Sequence, residues 1–305
     1  MPLITVCTAT YNFDKYLHRV YDSLRLQTIN DFEWIIVDDA SIDNTEEIVQ
    51  KWISEGNGFD IVYIKLPENR GKMYATNQGA KAASGDFFLD IGGDDALKPY
   101  ALDHFIDQWN KIDNSVKPTI AGLVTNVEDQ FGNMVGTNFP ESPLICDYFE
   151  LKFKYKIRGD KCSLYKTDVM LQYPFYDDVD RHVIHSATFF DIAYEYKLYC
   201  FEDSLYIYYR NEDKNTLSKK THKLRFIKGR QFYAEKRINK YFNKIPSLKF
   251  KLYSFISYIR YSAHSDITFL EMFKRINRPK YKFIFTLVFP TGYLIFLSDR
   301  LRKRV

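Results

Sequence analysis

Residues 32–45, FEWIIVDDASIDNT, contain the pattern that decides the fold. The apolar run Trp34-Ile35-Ile36-Val37 predicts a buried strand, and it ends on Asp38 and Asp39. Asp43 and Glu46 have the spacing of a helix cap and its return partner, so we expect a helix to follow. A buried strand that leads through a short polar loop into a helix is the building unit of parallel sheets.

The same alternation of strand and helix signals continues on both sides of this stretch. Further strands are predicted at 3–7, 61–64 and 87–89, with helical spacing of apolar residues between them. We therefore predict an α/β fold, a mostly parallel sheet flanked by helices, over residues 1–211. Residues 212–305 are predicted to form a basic, helical C-terminal region.

Composition and missing motifs exclude several functional classes. The net charge of the 305-residue chain is only +4, which gives no general argument for nucleic acid as a partner. Four scattered cysteines and the absence of a leader pattern after Met1 lead us to expect free thiols in a reducing cytosol. There is no GxxxxGK[ST] loop, and the first strand–helix turn contains no glycine, so neither common nucleotide motif is present.

Carboxylates follow two of the predicted strands. In parallel sheets ligands bind at the carboxyl ends of strands, so Asp39 could accept a hydrogen bond from a uracil or a ribose hydroxyl. Asp94 and Asp95 could hold a divalent cation, for which carboxylate oxygens are suitable ligands. The alternative for both pairs is a turn or a helix cap. Tyr11, after the first strand, could stack on a base or could lie in the core.

Taken together, these stretches resemble glycosyltransferase family 2, which has the GT-A fold. Residues 4–99, about a third of the chain, match closely, whereas the tail after 214 matches poorly. The matching pieces, in chain order, are Thr10-Tyr11-Asn12, residues 32–45, Glu68-Asn69-Arg70-Gly71-Lys72, and Ser84-Gly85-Asp86 leading to Asp94-Asp95, Leu97 and Pro99.

The resemblance implies a nucleotide-sugar donor, with UDP as the expected nucleotide, and it implies which residues contact that donor. Tyr11 and Asp39 would hold the nucleobase, with Thr10 in the same loop. Lys72 and Asn77 would lie on the helix beside the donor, where the family reads base and ribose.

The resemblance also implies a metal site, with one departure from the family pattern. Asp94 would be the ligand of Mn²⁺ or Mg²⁺ that ends the family's Asp-x-Asp motif, with Asp95 beside it. The first aspartate of that motif is Gly92 in this chain, and Asp90, two residues earlier, could be an ordinary strand residue. This departure leaves room for a feeble enzyme.

The catalytic base is less well defined. Counting back from Ile192-Ala193 places His185 where inverting members of the family have an acid, and an imidazole of ordinary pKa, about 6.5, can accept a hydroxyl proton. Asp178, Asp180 and His182 compete for this role. The alternative for His185 is a histidine at a helix start without a catalytic function.

The tail combines an apolar run with basic flanks. Residues 283–297 are mostly apolar, but we expect Pro290 and Gly292 to interrupt this run, so a full membrane span is not predicted. Residues 274–305 contain nine Lys or Arg and one acid, which suits peripheral contact with the anionic inner face of the cell membrane. The alternative is a helical hairpin packed on the catalytic domain.

The sequence therefore predicts a metal-dependent glycosyltransferase. We expect it to transfer a hexosyl or N-acetylhexosaminyl group to a hydroxyl of a glycan or lipid-linked saccharide, in cell-surface polysaccharide biosynthesis. Inversion at the anomeric carbon is implied by the resemblance alone. The alternative is a catalytically degenerate donor-binding or scaffold subunit of a polysaccharide assembly complex, and a nucleotidyltransferase fits poorly.

Overall fold

The computed structural model describes residues 2–210 and 226–302. The chain divides into two compact units, which are described separately. Of the described residues, the first unit contains 2–175 and 191–210, and the second contains 176–190 and 226–302. The predicted domain boundary at 211/212 lies outside the described residues and stays a prediction.

The first unit contains the sheet. Its strands are β1 Ile4–Thr10, β2 Phe32–Asp38, β3 Asp60–Lys65, β4 Phe87–Asp90, β5 Ala96–Leu97, β6 Ile120–Asp129, β7 Leu144–Cys146, β8 Cys162–Lys166 and β9 Lys197–Tyr208. Its helices are α1 His18–Arg25, α2 Thr45–Glu55, α3 Lys72–Ala82, α4 Ala101–Asn110 and α5 Thr167–Gln172, with short 3₁₀ and π turns at Lys117–Thr119 and Glu150–Lys154. Helix α6, Ser186–Ile192, crosses the division between the units.

The strand order is β3-β2-β1-β4-β8-β6-β9-β5, with β7 also paired to β9. The first four strands are parallel to one another, as predicted. Beyond β4 the sheet becomes mixed, because β8 runs antiparallel to both β4 and β6, and β5 and β7 run antiparallel to β9. The predicted α/β class, a sheet flanked by helices with a helical C-terminal extension, is confirmed.

Strand β2 is completely buried, which explains its nearly continuous apolar sequence. Helices cover both faces of a parallel sheet, so no residue of β2 faces water. The Trp34 indole donates a hydrogen bond to Thr8 Oγ1 at 2.9 Å and stacks with Tyr21 and Trp52. This aromatic cluster joins α1 and α2 to the sheet.

Local details differ from the sequence prediction at the start of α2. Asp43 accepts hydrogen bonds from the backbone N–H and the hydroxyl of Thr45, but the N-cap of α2 is Asn44, which makes no side-chain capping bond. Glu46 does not complete the predicted cap, because its carboxylate pairs with Lys65 at 2.5 Å. An ion pair with the neighbouring strand replaced the local bond.

The second unit is helical and has its own apolar core. Its remaining helices are α7 Ile227–Asn239, α8 Leu248–His264, α9 Phe269–Arg275 and α10 Pro279–Arg302. The predicted interruption at Pro290 and Gly292 is wrong, since α10 runs through both residues for 24 residues. Phe285 and Gly292 are buried on either side of Pro290, and this packing keeps the helix continuous although a proline lacks one backbone hydrogen bond.

Candidate active site

The predicted carboxylates lie at one edge of the sheet. Asp38 ends β2 and pairs in register with Thr10 of β1, and Asp90 ends β4 and pairs with Cys7 of the same strand. Because β1 separates β2 from β4 and parallel strands lie about 4.8 Å apart, β2 and β4 are roughly 10 Å apart across the sheet. Asp90 pairs three residues earlier on β1 than Asp38 does, which adds an offset of roughly 10 Å along the strands. Asp39 directly follows β2, and Asp94 lies four residues beyond the end of β4, so the fold places both pairs along one edge.

Asp39 connects three loops of this edge. Its buried carboxylate accepts hydrogen bonds from the backbone N–H groups of Arg70 and Gly71, each at 2.7 Å. Its own N–H donates to the carbonyl of Thr10 at 2.8 Å. Asp39 therefore fixes the loop before α3, while the predicted contact with a nucleobase stays a prediction.

Asp38 stabilises the neighbouring loop. One carboxylate oxygen accepts the N–H of Ser41 at 2.8 Å, and the other accepts the hydroxyl of Tyr63 at 2.5 Å. Burial and the Asp38 charge both raise the pKa of Tyr63, so this phenol stays protonated and continues to donate. Sequence analysis did not identify Tyr63.

The loop after β1 presents Tyr11 at the surface. Asn12 has a left-handed backbone, with φ 55°, and its side-chain oxygen accepts the N–H of Ile42. Tyr11 is 42% exposed, so part of its ring is accessible to a stacking base. The Thr10 hydroxyl is buried and makes no hydrogen bond within the described residues. The predicted roles of Tyr11 and Thr10 in donor binding stay predictions.

Lys72 and Asp90 form an ion pair at the start of α3. The Lys72 ammonium lies 3.0 Å from one carboxylate oxygen of Asp90, and the other oxygen is buried without a hydrogen-bond partner in the described residues. Burial alone would lower the pKa of Lys72, but the charge and hydrogen bond of Asp90 outweigh it, and the net pKa is raised. Asp90 is thus more than an ordinary strand residue, because it holds the positively charged Lys72 side chain in the site.

Asn77 has an architectural contact. Its amide nitrogen donates to the Phe175 carbonyl at 2.7 Å, and its amide oxygen accepts the Phe175 N–H at 2.9 Å. The side chain is buried and joins α3 to the segment after α5. The predicted contact of Asn77 with the donor stays a prediction.

The packing around Gly92 explains the departure from the family pattern. Asp95 accepts the Tyr206 hydroxyl at 2.6 Å and the Tyr209 N–H at 2.9 Å, and the Tyr206 oxygen accepts the Gly92 N–H at 3.0 Å. A Cβ at position 92 would lie 2.6 Å from the Asp95 carboxylate and 3.2 Å from the Tyr206 oxygen. These two side chains occupy the space that a first aspartate would need.

The surroundings of Asp95 raise the pKa of its carboxyl group. Burial raises the pKa of this carboxyl to about 7, and the charge of Asp94 adds to the effect, although the bonds from Tyr206 and Tyr209 oppose it. Burial and Asp95 in turn raise the pKa of Tyr206 well above its ordinary value. A cation beside the pair would favour the ionised form of Asp95.

Asp94 is half-buried, and Arg19 holds its backbone. The Arg19 guanidinium donates to the Asp94 carbonyl at 3.1 Å and lies over the Tyr209 ring at 4.2 Å. One Asp94 carboxylate oxygen lies 3.3 Å from the place of a Cβ on Gly92, beside this small residue. Asp94 therefore borders the space around Gly92.

A divalent cation at this edge would require several oxygen ligands. Among the residues that the structure describes, no group of three or more His, Cys, Asp or Glu side chains could hold a metal by itself. Nucleotide sites commonly hold Mg²⁺ with one or two carboxylates and the phosphates of the substrate. Asp94 and a donor diphosphate fit that pattern, whereas Tyr206 and Tyr209 already occupy both oxygens of Asp95.

The candidate bases lie in segment 176–190 of the second unit. His185 directly precedes α6, with its ring 5.9 Å from that of His182 and stacked with Phe189 at 6.3 Å. Asp180 accepts the Gly229 N–H at 3.1 Å, which joins this segment to α7, and Asp178 is exposed. The choice among His185, Asp180 and Asp178 stays a prediction.

A separate cavity lies away from these residues. It has a volume of about 620 Å³, and its lining includes Leu3, Asp86 and Trp109. Leu3 and Asp86 precede β1 and β4, so the cavity lies at the amino-terminal edge of the sheet, opposite Asp38 and Asp90. It is not the candidate donor site.

Comparison with known proteins identifies the family. The model of glycosyl transferase family 2 matches residues 5–171, which is more than half of the chain. The chain belongs to this family. The matched range includes the donor-site and metal-site residues named above and ends before His185.

Relatives in the family show how far the similarity extends. The teichoic acid poly(glycerol phosphate) polymerase of Staphylococcus epidermidis is 28% identical over 118 residues, which are 39% of this chain and 16% of that protein. The chain spans less than half the length of this and other curated relatives that it matches.

Solved structures of similar proteins confirm the GT-A-like fold. TarS 1-349 from S. aureus, in complex with UDP-GlcNAc, has a TM-score of 0.63 at 17% identity, covering 99% of this chain and 92% of that one. The mannosyltransferase PcManGT from Pyrobaculum calidifontis, in complex with GDP-Man and Mn²⁺, has a TM-score of 0.54 at 16% identity, covering 98% and 88%.

Besides Tyr63, sequence reasoning assigned no role in the site to three further side chains: Arg19, Asp90 and Tyr206. Asp90 alone had a visible signal, as an acid at the end of a predicted strand. Arg19 and Tyr206 lie 75 and 111 residues from the aspartates that they contact. Because these contacts join residues far apart in the chain, no local sequence pattern predicts them.

Proposed function

We propose that this chain transfers a glycosyl group from a nucleoside-diphosphate sugar, with UDP as the expected nucleotide, to a hydroxyl of a glycan or lipid-linked saccharide. The observation that carries the proposal is the group Asp39, Lys72 and Asp90 at the carboxyl edge of a family-2 sheet, with Asp94 four residues beyond Asp90. Nucleotide sugars in the similar solved structures support it. Similarity to the teichoic acid poly(glycerol phosphate) polymerase of Staphylococcus epidermidis and to a chondroitin synthase of Escherichia coli supports a role in cell-surface polysaccharide biosynthesis.

In this proposal the donor lies along that edge. Tyr11 stacks on the nucleobase, with Thr10 and Asp39 supplying polar contacts, and Lys72 places a fixed positive charge beside the diphosphate. The helix start at Lys72 also directs backbone N–H groups toward an anion. The sequence-based assignment of Asn77 to the donor is part of the proposal, although its amide already bonds Phe175.

Asp94 would hold Mn²⁺ or Mg²⁺, which balances the charge that builds on the departing diphosphate. The sequence suggested Asp95 as a second metal ligand, but we propose a structural role for it. Because its oxygens bond Tyr206 and Tyr209, Asp95 positions the loop that carries Asp94 and is at most a secondary ligand.

The acceptor hydroxyl would lose its proton to a base in segment 176–190. We propose the imidazole of His185, with Asp180 and Asp178 as the competing carboxylates. A proton taken up on the imidazole leaves the acceptor oxygen to attack the anomeric carbon from the face opposite the diphosphate, which inverts that centre.

We also propose that the chain works in the cytoplasm, peripherally on the inner face of the cell membrane. Lipid-linked acceptors require such a location, and the C-terminal region supplies basic residues together with a long apolar helix. Nucleic acid is not a proposed partner, and no oligomeric state is assigned.

The experiment that tests the proposal is nucleotide release from a panel of UDP-, GDP- and dTDP-sugars with Mn²⁺ or Mg²⁺. Asp94→Ala should abolish metal-dependent release while the circular dichroism spectrum stays that of a folded protein. The matched control is Asp22→Ala, which removes an exposed carboxylate of α1 and should retain activity. A fully active Asp94→Ala enzyme would contradict the metal assignment.

A second candidate function is favoured by the packing around Gly92. Because Asp95 and Tyr206 occupy the space of a first aspartate, the chain could bind the donor without turning it over, as a scaffold subunit of a polysaccharide assembly complex. Calorimetric titration with nucleotide sugars separates the two. Metal-dependent binding without turnover on any acceptor would favour the scaffold.

A further inference from the structure

Helix α10 is locked against α8 at two points. A Cβ on Gly292 would lie 2.8 Å from Ile259 Cβ and 3.2 Å from the Ile256 carbonyl, so the two helices approach as closely as a glycine permits. Two turns further on, Asp299 accepts the Arg260 guanidinium through both oxygens, at 2.6 and 2.8 Å, and lies 3.1 Å from His264. These contacts fix which side of α10 faces away from α8.

The side that faces away is apolar, and we name it the apolar stripe. Its members recur at intervals of four and three residues, so they follow one line along the helix. Four of them are 64–67% exposed and Leu297 is 39% exposed. The stripe spans about 27 Å at 1.5 Å per residue. Its members are Phe283, Leu287, Pro290, Leu294, Leu297 and Leu301.

Basic residues border the stripe at both ends. Lys280 and Lys282 lie before its first member, and Arg300 and Arg302 lie on either side of its last member, Leu301. At 100° per residue, these four side chains project within roughly 100° of the stripe on either side. The only acid in α10, Asp299, faces α8 and is paired there. Within α10 the charged residues that border the stripe are therefore all positive, which complements an anionic lipid surface.

The contacts with α8 decide between lying on a bilayer and crossing it. By length and composition α10 could cross a membrane, although one such helix is weak evidence. Crossing would carry α8 along, because Tyr258, Ile259 and Arg260 all pack on α10. Each cationic side chain of α8 taken into the hydrocarbon would cost about 2.5–3.5 kcal/mol by insertion scales.

We propose that the apolar stripe is the surface by which this chain binds an anionic bilayer, with α10 lying in the plane of the interface and not crossing it. This rests on the proposed function and specifies its membrane contact. The phenyl and leucyl side chains enter the boundary between headgroups and acyl chains, and the basic residues at both ends bind lipid phosphates.

A second copy of the chain is the rival occupant, since spacing of four and three is also that of a coiled-coil seam. Pro290 lies within that line, and both ends of α10 are basic. Pairing of two copies would place lysines and arginines beside one another in either direction, which opposes association. An anionic surface satisfies the same charges.

The test is sedimentation of the full chain with vesicles of phosphatidylcholine and phosphatidylglycerol, and with phosphatidylcholine alone. We expect binding to the anionic vesicles that weakens as salt increases. Leu287→Glu and Leu294→Glu should each lower the affinity at least about tenfold, since a buried acid in the interface costs more than 1.4 kcal/mol. Lys280→Gln and Arg302→Gln should each lower it about fivefold.

The matched control is Leu26→Glu. Leu26 and Leu294 are both 64% exposed, but Leu26 ends α1 in the first unit. This variant should bind as the unchanged chain does. If the Glu substitutions in the stripe leave vesicle binding unchanged, the proposal is wrong. If they also change the mass measured by light scattering, the stripe is the contact with another copy of the chain.

Spin labels on Leu287→Cys and Leu301→Cys separate lying from crossing. The four native cysteines are buried, so the introduced thiol is the reactive one. Both labels should report a similar, shallow depth, and carbonate should extract the bound protein. One label at the bilayer centre would refute the in-plane arrangement. Vesicle binding requires no donor, so a chain that binds vesicles but releases no nucleotide would contradict the transferase and not this surface.

Discussion

Asp94 and Asp95 are adjacent in the chain, but their carboxylates have different surroundings. Both oxygens of Asp95 accept hydrogen bonds from β9 or the residue that follows it, and burial raises its pKa to about 7. Asp94 is half-buried, with its backbone held by Arg19. The sequence predicted an aspartate pair at this strand end but could not distinguish the two members, because the difference comes from Tyr206 and Tyr209.

At this scale we predict that Gly92→Ala harms the site. The added Cβ would press on Asp95 and Tyr206, and overpacking of this kind typically costs about 1–3 kcal/mol. Thermal unfolding should show the loss, and metal-dependent nucleotide release should fall with it. The control is Gly58→Ala, where the three atoms nearest to the new Cβ all belong to the flexible side chain of Asn30.

A motif argument would expect Gly92→Asp to improve metal binding, whereas the packing predicts that it harms the site. Restoring the family's first aspartate should disturb the site at least as much as Gly92→Ala, because the space is occupied. Higher metal affinity or faster release in Gly92→Asp would show that the Asp95–Tyr206 pair moves aside readily, and the packing explanation of Gly92 would be wrong.

Helix α10 shows how an element can depart from its local sequence signals. Pro290 and Gly292 are a poor combination for an isolated helix, and an interruption was expected there. The helix continues because Phe285, Gly292 and Phe296 are buried against their neighbours. Most helix stability in proteins comes from such packing and not from propensity.

At this scale we predict that Gly292→Ala destabilises the second unit. An alanine normally favours a helix over a glycine by about 1 kcal/mol. Here its Cβ would collide with Ile259, so we expect a net loss of about 1–3 kcal/mol in chemical unfolding. Thr291→Ala, at the exposed neighbouring position, should be neutral or slightly stabilising. A stabilised Gly292→Ala protein would disprove the close approach of α8 and α10.

Among the described residues, each compact unit has an apolar core of its own. The first core supports the sheet edge that carries Asp39, Lys72 and Asp94. The second belongs to the helical unit, which contains α10. The proposed donor chemistry and the proposed lipid contact therefore depend on separate cores and can be tested separately.

At this scale we predict that UDP with Mn²⁺ raises the temperature of thermal unfolding. A ligand at 100 times its dissociation constant stabilises the state that binds it by about 2.7 kcal/mol. Calorimetry should show a shift with UDP and a further shift with Mn²⁺. Asp94→Ala should lose the further shift, whereas Leu294→Glu should retain both. A Mn²⁺-dependent shift that survives in Asp94→Ala would place the cation elsewhere.

The sequence by itself determined the parallel first half of the sheet, the placement of aspartates at its carboxyl edge and the basic, apolar character of the tail. These follow from the spacing of residues along the chain, which is a local property. Only the tertiary structure decided that Asp90 pairs with Lys72, that Tyr206 binds Asp95 and that one side of α10 stays exposed. Such contacts join residues that are distant in the chain, and they depend on which surfaces the fold brings together.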